Sequence, residues 1–361
     1  MGRLSMGIFK KKTHTVGLDI GSSSVKLAEL EMDPKDGIWR LKNFGMVGLP
    51  PEAIVDGAVM NTMVIVDAIR DLVASQKIKT REVTASVAGH SVIIKRINLP
   101  VMTVDELDES IQWEAEQYIP FDINDVNIDV QILDDVGDEA GQMEVLLVAA
   151  RKDLVNEYVS IIQEAGMSPA VVDVDCFAVE NMFELNYDVP DGAVALINVG
   201  ASNVNINVIE GGVTAFTRDV GMGGRQFTEE IQRALNISYE EAEAMKVGGD
   251  VADATAVVPE EIESVLAATA DALGTEIHRS LDFHLSASNS NLYRIYLSGG
   301  AARTPGLARA IQEKTGTPIE IVDSFRRIEI DEREFNPNFL RDVSAQAAVA
   351  VGLALRRIGD R

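Results

Sequence analysis

An internal duplication restricts the fold of this chain more than any other feature of its sequence. Residues 16–27 (VGLDIGSSSVKL) and residues 195–206 (ALINVGASNVNI) align at a single offset of 179 residues. Each copy has an apolar strand, a tight glycine turn, and a second strand whose side chains alternate; a third strand is predicted at 38–47 and at 213–220. The pattern therefore predicts two related lobes, each of which begins with a β-hairpin whose loop lies at an equivalent place.

The two turns have the composition of a phosphate-binding loop. Asp19 and Asn198 lie near the ends of the two first strands. The turns that follow contain Gly21, Ser22, Ser23 and Ser24 in the first copy and Gly200, Ala201, Ser202 and Asn203 in the second. Backbone N–H groups in such a turn point at whatever fills it, and glycine lets that group approach closely. One such turn is usually an ordinary hairpin turn, but its duplication favours two loops that face each other across a polyphosphate and its metal ion.

Composition and missing motifs exclude several classes of function. The net charge of −25 repels a nucleic-acid backbone, so nucleic acid is not an expected partner. The lone Cys176 cannot form an internal disulfide, and no apolar run approaches the roughly 18 residues of a membrane span. The sequence has no Gly-Lys dipeptide and hence no P-loop, and the glycine run at 221–224 has the wrong spacing for a dinucleotide fingerprint. These features predict a soluble, cytoplasmic protein.

Several segments carry a resemblance to known families. Residues 18–26 (LDIGSSSVK) and 198–203 resemble the two phosphate loops of the actin, Hsp70 and sugar-kinase superfamily, and residues 297–301 (LSGGA) resemble its adenosine loop. Residues 219–228 and 241–246 resemble adenosine-side segments of FtsA. Four further segments resemble the PilM family of type IV pilus assembly, an FtsA-like branch of the superfamily. They are INLP at 97–100, EAEQYIPF at 114–121, LLVAAR at 146–151 and GLALR at 352–356. The resemblance covers nearly the whole chain from 16 to 357.

The resemblance implies an α/β, actin-like ATPase fold. Two duplicated RNase H-like lobes are expected, with an inserted subdomain of the FtsA/PilM type. The implied boundaries are a flexible basic leader at 1–15, a first lobe at 16–190 with the insertion at about 90–166, and a second lobe at 191–361. The lobes would hinge about a helix that begins at Asp175 and a closing helix at 342–357.

Charge is unevenly distributed along the chain. The first sixteen residues hold four basic residues and no acid, which is typical of a disordered leader or of a weak electrostatic tether to anionic lipid. Residues 97–150 hold fourteen acids and no Lys or Arg. A helical stretch at 105–116 carries six of these acids, and it is either a solvated helix face or a docking surface for a basic partner segment.

The superfamily resemblance also implies ATP and Mg²⁺ as cofactors. Asp19 would hold the metal, usually through water, and Lys26 would reach the phosphates; the alternatives are an ordinary turn aspartate and a solvated lysine. The remaining implied nucleotide contacts come from the two loops above and from Gly223, Gly224, Glu243, Lys246, Gly299, Gly300 and Ala301. Glu243 and Lys246 are three residues apart on one helical face, which is also the spacing of a surface ion pair.

Slow or absent hydrolysis is expected from the second loop. Asn198 stands where the superfamily usually has Asp, and an amide cannot bring a second negative charge to the metal. Asp175 is the candidate catalytic base, although an aspartate at the start of a helix is more often an N-cap.

The PilM resemblance implies an ATP-binding scaffold at the cytoplasmic face of the inner membrane, with only indirect membrane association. It would bind the cytoplasmic N-terminal tail of a PilN-like bitopic protein in a groove between the first lobe and the insertion, and it would contact other pilus assembly components. Two alternatives remain open at this point. One is a filament-forming FtsA-like protein, and the other is a small-molecule kinase of the same superfamily, from which the single cysteine excludes the zinc-bearing sugar kinases.

Overall fold

The computed structural model describes residues 15–55, 57–134, 141–190, 192–247, 260–288 and 291–359. The predicted basic leader lies outside these residues except for Thr15. Among the described helices, none combines the length and the apolar character that a membrane crossing needs.

The elements follow one another in four groups. The first lobe opens with β1 (Val16–Ile20), β2 (Ser24–Met32), β3 (Trp39–Gly48), β4 (Ile54–Val55), β5 (Ala58–Val59), α1 (Thr62–Ser75) and β6 (Glu82–Val87). The inserted subdomain contains β7 (Val92–Pro100), α2 (Val104–Glu116), a 3₁₀ turn (Ile123–Asp125), β8 (Val126–Asp134) and β9 (Gln142–Arg151). The chain then forms α3 (Lys152–Glu164), β10 (Ser168–Val174) and α4 (Asp175–Asn186). The rest comprises β11 (Ala193–Val199), β12 (Val204–Glu210), β13 (Val213–Val220), α5 (Gly224–Leu235), α6 (Tyr239–Lys246), α7 (Glu260–Ser288), β14 (Leu292–Ser298), α8 (Leu307–Thr315), β15 (Ile319–Ile321), α9 (Pro337–Val343), a 3₁₀ turn (Ser344–Ala347) and α10 (Ala348–Ala354).

The duplication predicted from the sequence is a duplication of sheet topology. The first lobe has the strand order β3-β2-β1-β6-β10 and the second has β13-β12-β11-β14-β15. In each sheet the first three strands are antiparallel, and the parallel strands follow on the other side of the first strand. All residues of β1 and β11 are buried, as expected for strands that are covered on both faces of a sheet. The predicted actin-like fold of two duplicated lobes is confirmed.

The inserted subdomain is a separate three-stranded sheet with its own core. Its strand order is β7-β9-β8, and α2 packs Leu107, Ile111 and Ala115 into the core of this sheet. The amide of Arg151 donates to the carbonyl of Ser91 at 3.0 Å, so the two ends of the subdomain are adjacent. The sequence-based boundary at 166 lies too far along the chain, because the amphipathic α3 packs into the core of the first lobe instead.

The end of the chain differs from the single closing helix predicted at 342–357. The helix is interrupted at residues 344–347, where the Ser344 and Ala345 carbonyls accept hydrogen bonds from Ser324 and Gly299 and are therefore not available for α-helical pairing. Beyond this turn, α10 packs on β1 and β2 of the first lobe and on α4. The last helix thus returns to the first lobe, although its residues were predicted to belong to the second.

Candidate functional site

The two glycine turns are structurally equivalent. In the first loop the Gly21 amide donates to the Ser24 carbonyl at 3.1 Å, and in the second the Gly200 amide donates to the Asn203 carbonyl at 2.9 Å. These residues are related by the same offset as the two sequence copies. Both loops follow the first strand of their sheet, so the duplication places one loop in each lobe.

Asp19 and Lys26 form a buried ion pair beside the first loop. They are opposite one another in the β1–β2 ladder, and the Lys26 Nζ lies 3.0 Å from the Asp19 Oδ2. Lys26 is therefore not a solvated strand lysine. An added Cβ on Gly21 would lie 3.4 Å from the Lys26 Nζ, so this glycine leaves space next to the ion pair. A buried ion pair contributes little net stability, which favours a functional role for both side chains.

The second lobe carries an amide pair in place of this ion pair. The equivalents of Asp19 and Lys26 are Asn198 and Asn205, and the Asn198 Nδ2 donates to the Asn205 Oδ1 at 3.2 Å. The second loop therefore adds no charge at this position. Asp219 of β13, which the sequence analysis did not single out, accepts a hydrogen bond from the Asn205 Nδ2 at 2.7 Å.

Asp175 has the acid–base properties of a candidate base. It is the first residue of α4, and the N-cap is Val174, so Asp175 is not the helix cap that the sequence left open. The Ser86 hydroxyl donates to the Asp175 Oδ1 at 2.6 Å. Burial, together with the negative charge of Asp19, raises the pKa of Asp175 to about 7, although the Ser86 hydrogen bond lowers it. A carboxyl group with a pKa near neutrality is suited to accept a proton.

Of the buried donors that have no hydrogen-bond partner among the described residues, two lie at the second loop and the start of α5. They are the Ser202 hydroxyl in the second loop and the Nε of Arg225 at the start of α5. The Arg225 Nη2 reaches the first lobe, where it lies 3.5 Å from the Ser22 carbonyl and 3.3 Å from the Ile54 carbonyl. Unpaired buried donors are costly unless a ligand accepts from them, and phosphate oxygens are suitable acceptors. The residues present at both loops therefore fit a polyphosphate.

Gly223 and Gly224 allow α5 to dock on the second loop. The amides of Gly224 and Arg225 donate to the carbonyls of Gly200 and Ala201 at 2.9 and 2.8 Å. An added Cβ on Gly223 would lie 2.5 Å from the Ala201 carbonyl oxygen, and one on Gly224 would lie 2.9 Å from the Ala301 Cβ. Only glycine fits this close packing.

Glu243 and Lys246 form an ion pair, and Lys246 also makes hydrogen bonds to α5, so the pair is not an isolated surface ion pair. Lys246 is buried, and its Nζ donates to the Gly224 carbonyl at 3.2 Å, to the Thr228 hydroxyl at 3.0 Å and to the Glu243 carboxylate at 2.6 Å. Lys246 therefore connects α6 to the start of α5. The Glu243 side chain keeps 39% of its surface exposed and remains accessible to a ligand.

The third loop, at residues 299–301, lies against the end of β11. The Ala301 amide donates to the Val199 carbonyl at 3.0 Å. Gly299 has φ +94°, and an added Cβ there would lie 2.3 Å from the same carbonyl oxygen, so this position requires glycine. Gly300 has open space around it, with its nearest neighbour, Gln346, 3.8 Å from an added Cβ. This open backbone suits the flat face of a purine base.

The site has few direct metal ligands. Among the residues that the structure describes, no group of three His, Cys, Asp or Glu side chains is arranged to hold a metal ion. Asp19 is the predicted ligand. A site with one carboxylate fits Mg²⁺, which usually keeps several waters and binds through one or two carboxylates and the phosphates of a substrate.

Comparisons with known proteins agree with this geometry. A chain of the solved PilM–PilN type IV pilus biogenesis complex has a TM-score of 0.82 and 29% identity, covering 96% of this chain and 99% of that chain. The cell division protein FtsA of Bacillus subtilis (strain 168) is 25% identical over 255 residues, which are 64% of this chain but only 57% of FtsA. The ethanolamine utilization protein EutJ from Carboxydothermus hydrogenoformans has a TM-score of 0.58 and 14% identity, and the match covers 96% of this chain and 90% of the EutJ chain. At this identity the match shows the fold alone.

The family model of the type IV pilus assembly protein PilM matches residues 17–358, which is nearly the whole of the described chain. The resemblance predicted from the sequence is confirmed, and the chain belongs to the PilM family of type IV pilus assembly proteins.

Proposed function

We propose that this PilM-family scaffold captures the N-terminal cytoplasmic tail of a PilN-like protein and holds ATP between its lobes, at the cytoplasmic face of the inner membrane. The observation that carries this proposal is the match to the PilM–PilN complex, which extends over almost the full length of both chains. The same role would bring the scaffold to the membrane through its partner, together with other pilus assembly components.

A groove at the inserted subdomain is the proposed site for the tail. It has a volume of about 370 Å³ and lies between α2, the start of β8 and the first residue of α3. Ile111 and Gln112 line one side, and Asn127 lines the other. The Lys152 Nζ donates to the Asn124 carbonyl at 2.6 Å, which connects the subdomain to the first lobe at the end of the groove. This position, at the junction of the subdomain with α3, supports the proposal that the tail binds there.

The charge of the inserted subdomain favours a basic tail. The fourteen acids at 97–150 have no basic residue within the same segment. Arg96, just outside it, pairs with Glu144, and Glu106 closes a capping box with Thr103 at the start of α2. Asp108 lines the groove, and Asp122 and Asp125 flank the lining residues Ile123 and Asn124. These carboxylates give the groove an acidic field, which attracts basic partners and repels acidic ones.

The nucleotide is proposed to lie across the two loops and the third loop. Lys26, the Ser202 hydroxyl and the Arg225 guanidinium would donate to phosphate oxygens, and Gly300 and Glu243 would contact the base and ribose. Bound Mg²⁺ would neutralise phosphate charge, with Asp19 holding it mostly through water. Asp175 would accept a proton from the attacking water, whereas the neutral Asn198 would leave the site short of charge and keep hydrolysis slow.

Tail capture is tested by calorimetry with a synthetic peptide of the N-terminal segment of a PilN-like protein. Gln112→Lys places a positive charge in the groove and should weaken binding at least tenfold. Gln117→Lys adds the same charge just beyond α2, outside the groove, and should change the affinity by less than a factor of three. Equal effects of the two substitutions would place the tail elsewhere. Pelleting that depends on ATP, or turnover of a small molecule, would instead favour the filament or the kinase.

A further inference from the structure

A chain of three hydrogen bonds leads from the second loop to the entrance of the inserted subdomain. The Asn198 Nδ2 donates to the Asn205 Oδ1 at 3.2 Å, and the Asn205 Nδ2 donates to the Asp219 Oδ1 at 2.7 Å. The other carboxylate oxygen of Asp219, Oδ2, accepts from the backbone amide of Gly89 at 2.6 Å. One carboxylate thus joins a buried amide pair in the second lobe to the backbone of the first lobe.

Gly89 occupies the junction between the first lobe and the subdomain. It lies between the last strand residue of β6, Val87, and the first of β7, Val92. Its carbonyl accepts from the Val92 amide at 3.0 Å, so the peptide groups of Gly89 contact Asp219 on one side and the start of β7 on the other. Its φ of +90° favours glycine, and the nearest atom to an added Cβ is the Asn203 Nδ2 of the second loop, at 3.9 Å.

Asp219 also determines the orientation of both amides. An ionised carboxylate only accepts hydrogen bonds, so Asn205 must present its NH₂ group to Asp219 and its carbonyl oxygen to Asn198. Asn198 must then present its own NH₂ group to Asn205. This leaves the Asn198 Oδ1 to accept from the Ser298 hydroxyl, at 3.4 Å, next to the third loop. The equivalent positions of the first lobe, all of which the structure describes, form no such chain, because Lys26 pairs directly with Asp19 and the residue opposite Lys26 on β3 is Met46.

We propose that Asp219 is a positioning residue that couples nucleotide binding between the lobes to capture of a basic peptide by the inserted subdomain. This inference rests on the proposed function, since it needs both ligands. Nucleotide bound at the second loop favours the arrangement in which all three hydrogen bonds of the chain are formed. In this arrangement Asp219 holds the Gly89 amide, and the start of β7 is fixed in position. The peptide favours the same arrangement from the other end. Because coupling between two binding sites is reciprocal, the peptide raises ATP affinity by the factor by which ATP raises peptide affinity.

The test compares the peptide affinity without and with saturating ATP and Mg²⁺, using the synthetic tail peptide as the probe. Wild type should bind the peptide at least five times more tightly with nucleotide, the low end of typical allosteric coupling. An amide at position 219 has only one oxygen, so Asp219→Asn cannot accept hydrogen bonds from Asn205 and Gly89 through two separate oxygens. In this variant the ratio of the peptide affinity with nucleotide to that without should fall to about one, while each ligand still binds alone. Glu276→Gln is the matched control, because Glu276 pairs with Arg218 within the second lobe, and it should keep the wild-type ratio.

A second variant separates coupling from folding. Asn205→Ala removes the middle of the hydrogen-bond chain and leaves the bond between Asp219 and Gly89 in place, and it should also bring the ratio to about one. An unchanged ratio in either folded variant overturns the proposal. If wild type binds both ligands but has the same peptide affinity with and without nucleotide, the coupling proposal is overturned and the proposed function stands. Failure of wild type to bind either ligand alone is seen in the single titrations and overturns both.

Discussion

At the residue scale, the protonation of Asp175 links the chemistry of the cleft to stability. Its pKa is raised from 3.8 to about 7 by burial and by Asp19. The folded state therefore binds this proton more tightly than the unfolded state. The resulting contribution to stability is fully present below pH 3.8 and is lost as the pH rises through about 7. Above neutrality, the apo protein holds a carboxylate that its surroundings disfavour.

Replacing this carboxyl group by an amide should stabilise the apo protein at high pH. Asp175→Asn should raise the free energy of unfolding at pH 8 by up to a few kcal/mol, at about 1.4 kcal/mol per pKa unit, and should leave it unchanged near pH 4. Urea unfolding at several pH values measures this difference. Asp67→Asn, at an exposed position on α1, is the control and should change little at either pH. A destabilised Asp175→Asn variant at pH 8 would contradict the expected environment.

Asn198 should limit ATP hydrolysis. We expect wild type to turn over ATP well below about 1 per second, the low end of ordinary enzymes. Asn198→Asp adds the charge that the second loop lacks, so it should increase both the rate and the dependence on Mg²⁺. Phosphate release in single turnover measures this, with Asp19→Ala, which should also weaken ATP binding severely, as the control for contaminating ATPase. Many turnovers per second by wild type would favour an enzyme over a scaffold.

The sequence could predict the parts of the site that the duplication repeats. Asp19, Lys26 and the two glycine loops are visible because a second copy occupies equivalent positions. Asp219 and Arg225 lie in a segment that resembled FtsA, but their contacts are with Gly89 and Ser22, which are 130 and 203 residues away in the chain. No local spacing reveals such partners. Lys246 was predicted as a ligand from its position, and only the structure shows its three bonds within the second lobe.

At the element scale, the inserted subdomain has the connectivity of an extended hairpin insertion. Val92 and Ala150 are directly opposite each other in the antiparallel β7–β9 ladder, and the subdomain core is separate from the core below it. Nothing in the sequence of α3 indicates which of the two cores it joins, because an amphipathic helix can pack on either. Only the fold shows that α3 packs on the first lobe and not on the insertion.

This connectivity allows a clean removal of the subdomain. Replacing residues 93–149 by an Asn-Gly turn should join Val92 to Ala150 as a short hairpin, since this turn closes antiparallel strands. The variant should fold, keep some ATP affinity and lose binding of the tail peptide. Circular dichroism and calorimetry with each ligand measure the three outcomes. Tail binding that survives the deletion would exclude the groove as the binding site. For wild type, a peptide affinity that does not depend on salt would exclude the acidic field as the main source of that affinity.

At the scale of the whole molecule, the lobes are connected where α4 and α10 cross. An added Cβ on Gly352 of α10 would lie 1.7 Å from the Ala178 carbonyl oxygen of α4, and one on Gly17 of β1 would lie 2.1 Å from the Ala350 carbonyl oxygen. The two helices and the first strand therefore touch backbone to backbone. The predicted hinge helices, one beginning at Asp175 and one at 342–357, include the two helices that cross here. The sequence alone predicts a single closing helix. It could not predict the interruption at residues 344–347, because the partners of those carbonyls come from other elements.

The crossing of α4 and α10 should tolerate no added methyl group. Gly352→Ala places its Cβ against backbone, which cannot rotate away, so α10 must move off α4; we expect a loss of about 3 kcal/mol or more in the free energy of unfolding, at the upper end of overpacking costs. Gly48→Ala is the matched control: no atom lies within 4 Å of its added Cβ, and we expect a change within about 0.5 kcal/mol. Urea unfolding measures both variants. Because α4 contacts β11 of the second lobe and α10 contacts β1 of the first, we expect folded Gly352→Ala also to bind ATP more weakly than Gly48→Ala. Equal stability and equal ATP affinity of the two variants would show that the crossing does not hold the lobes in place.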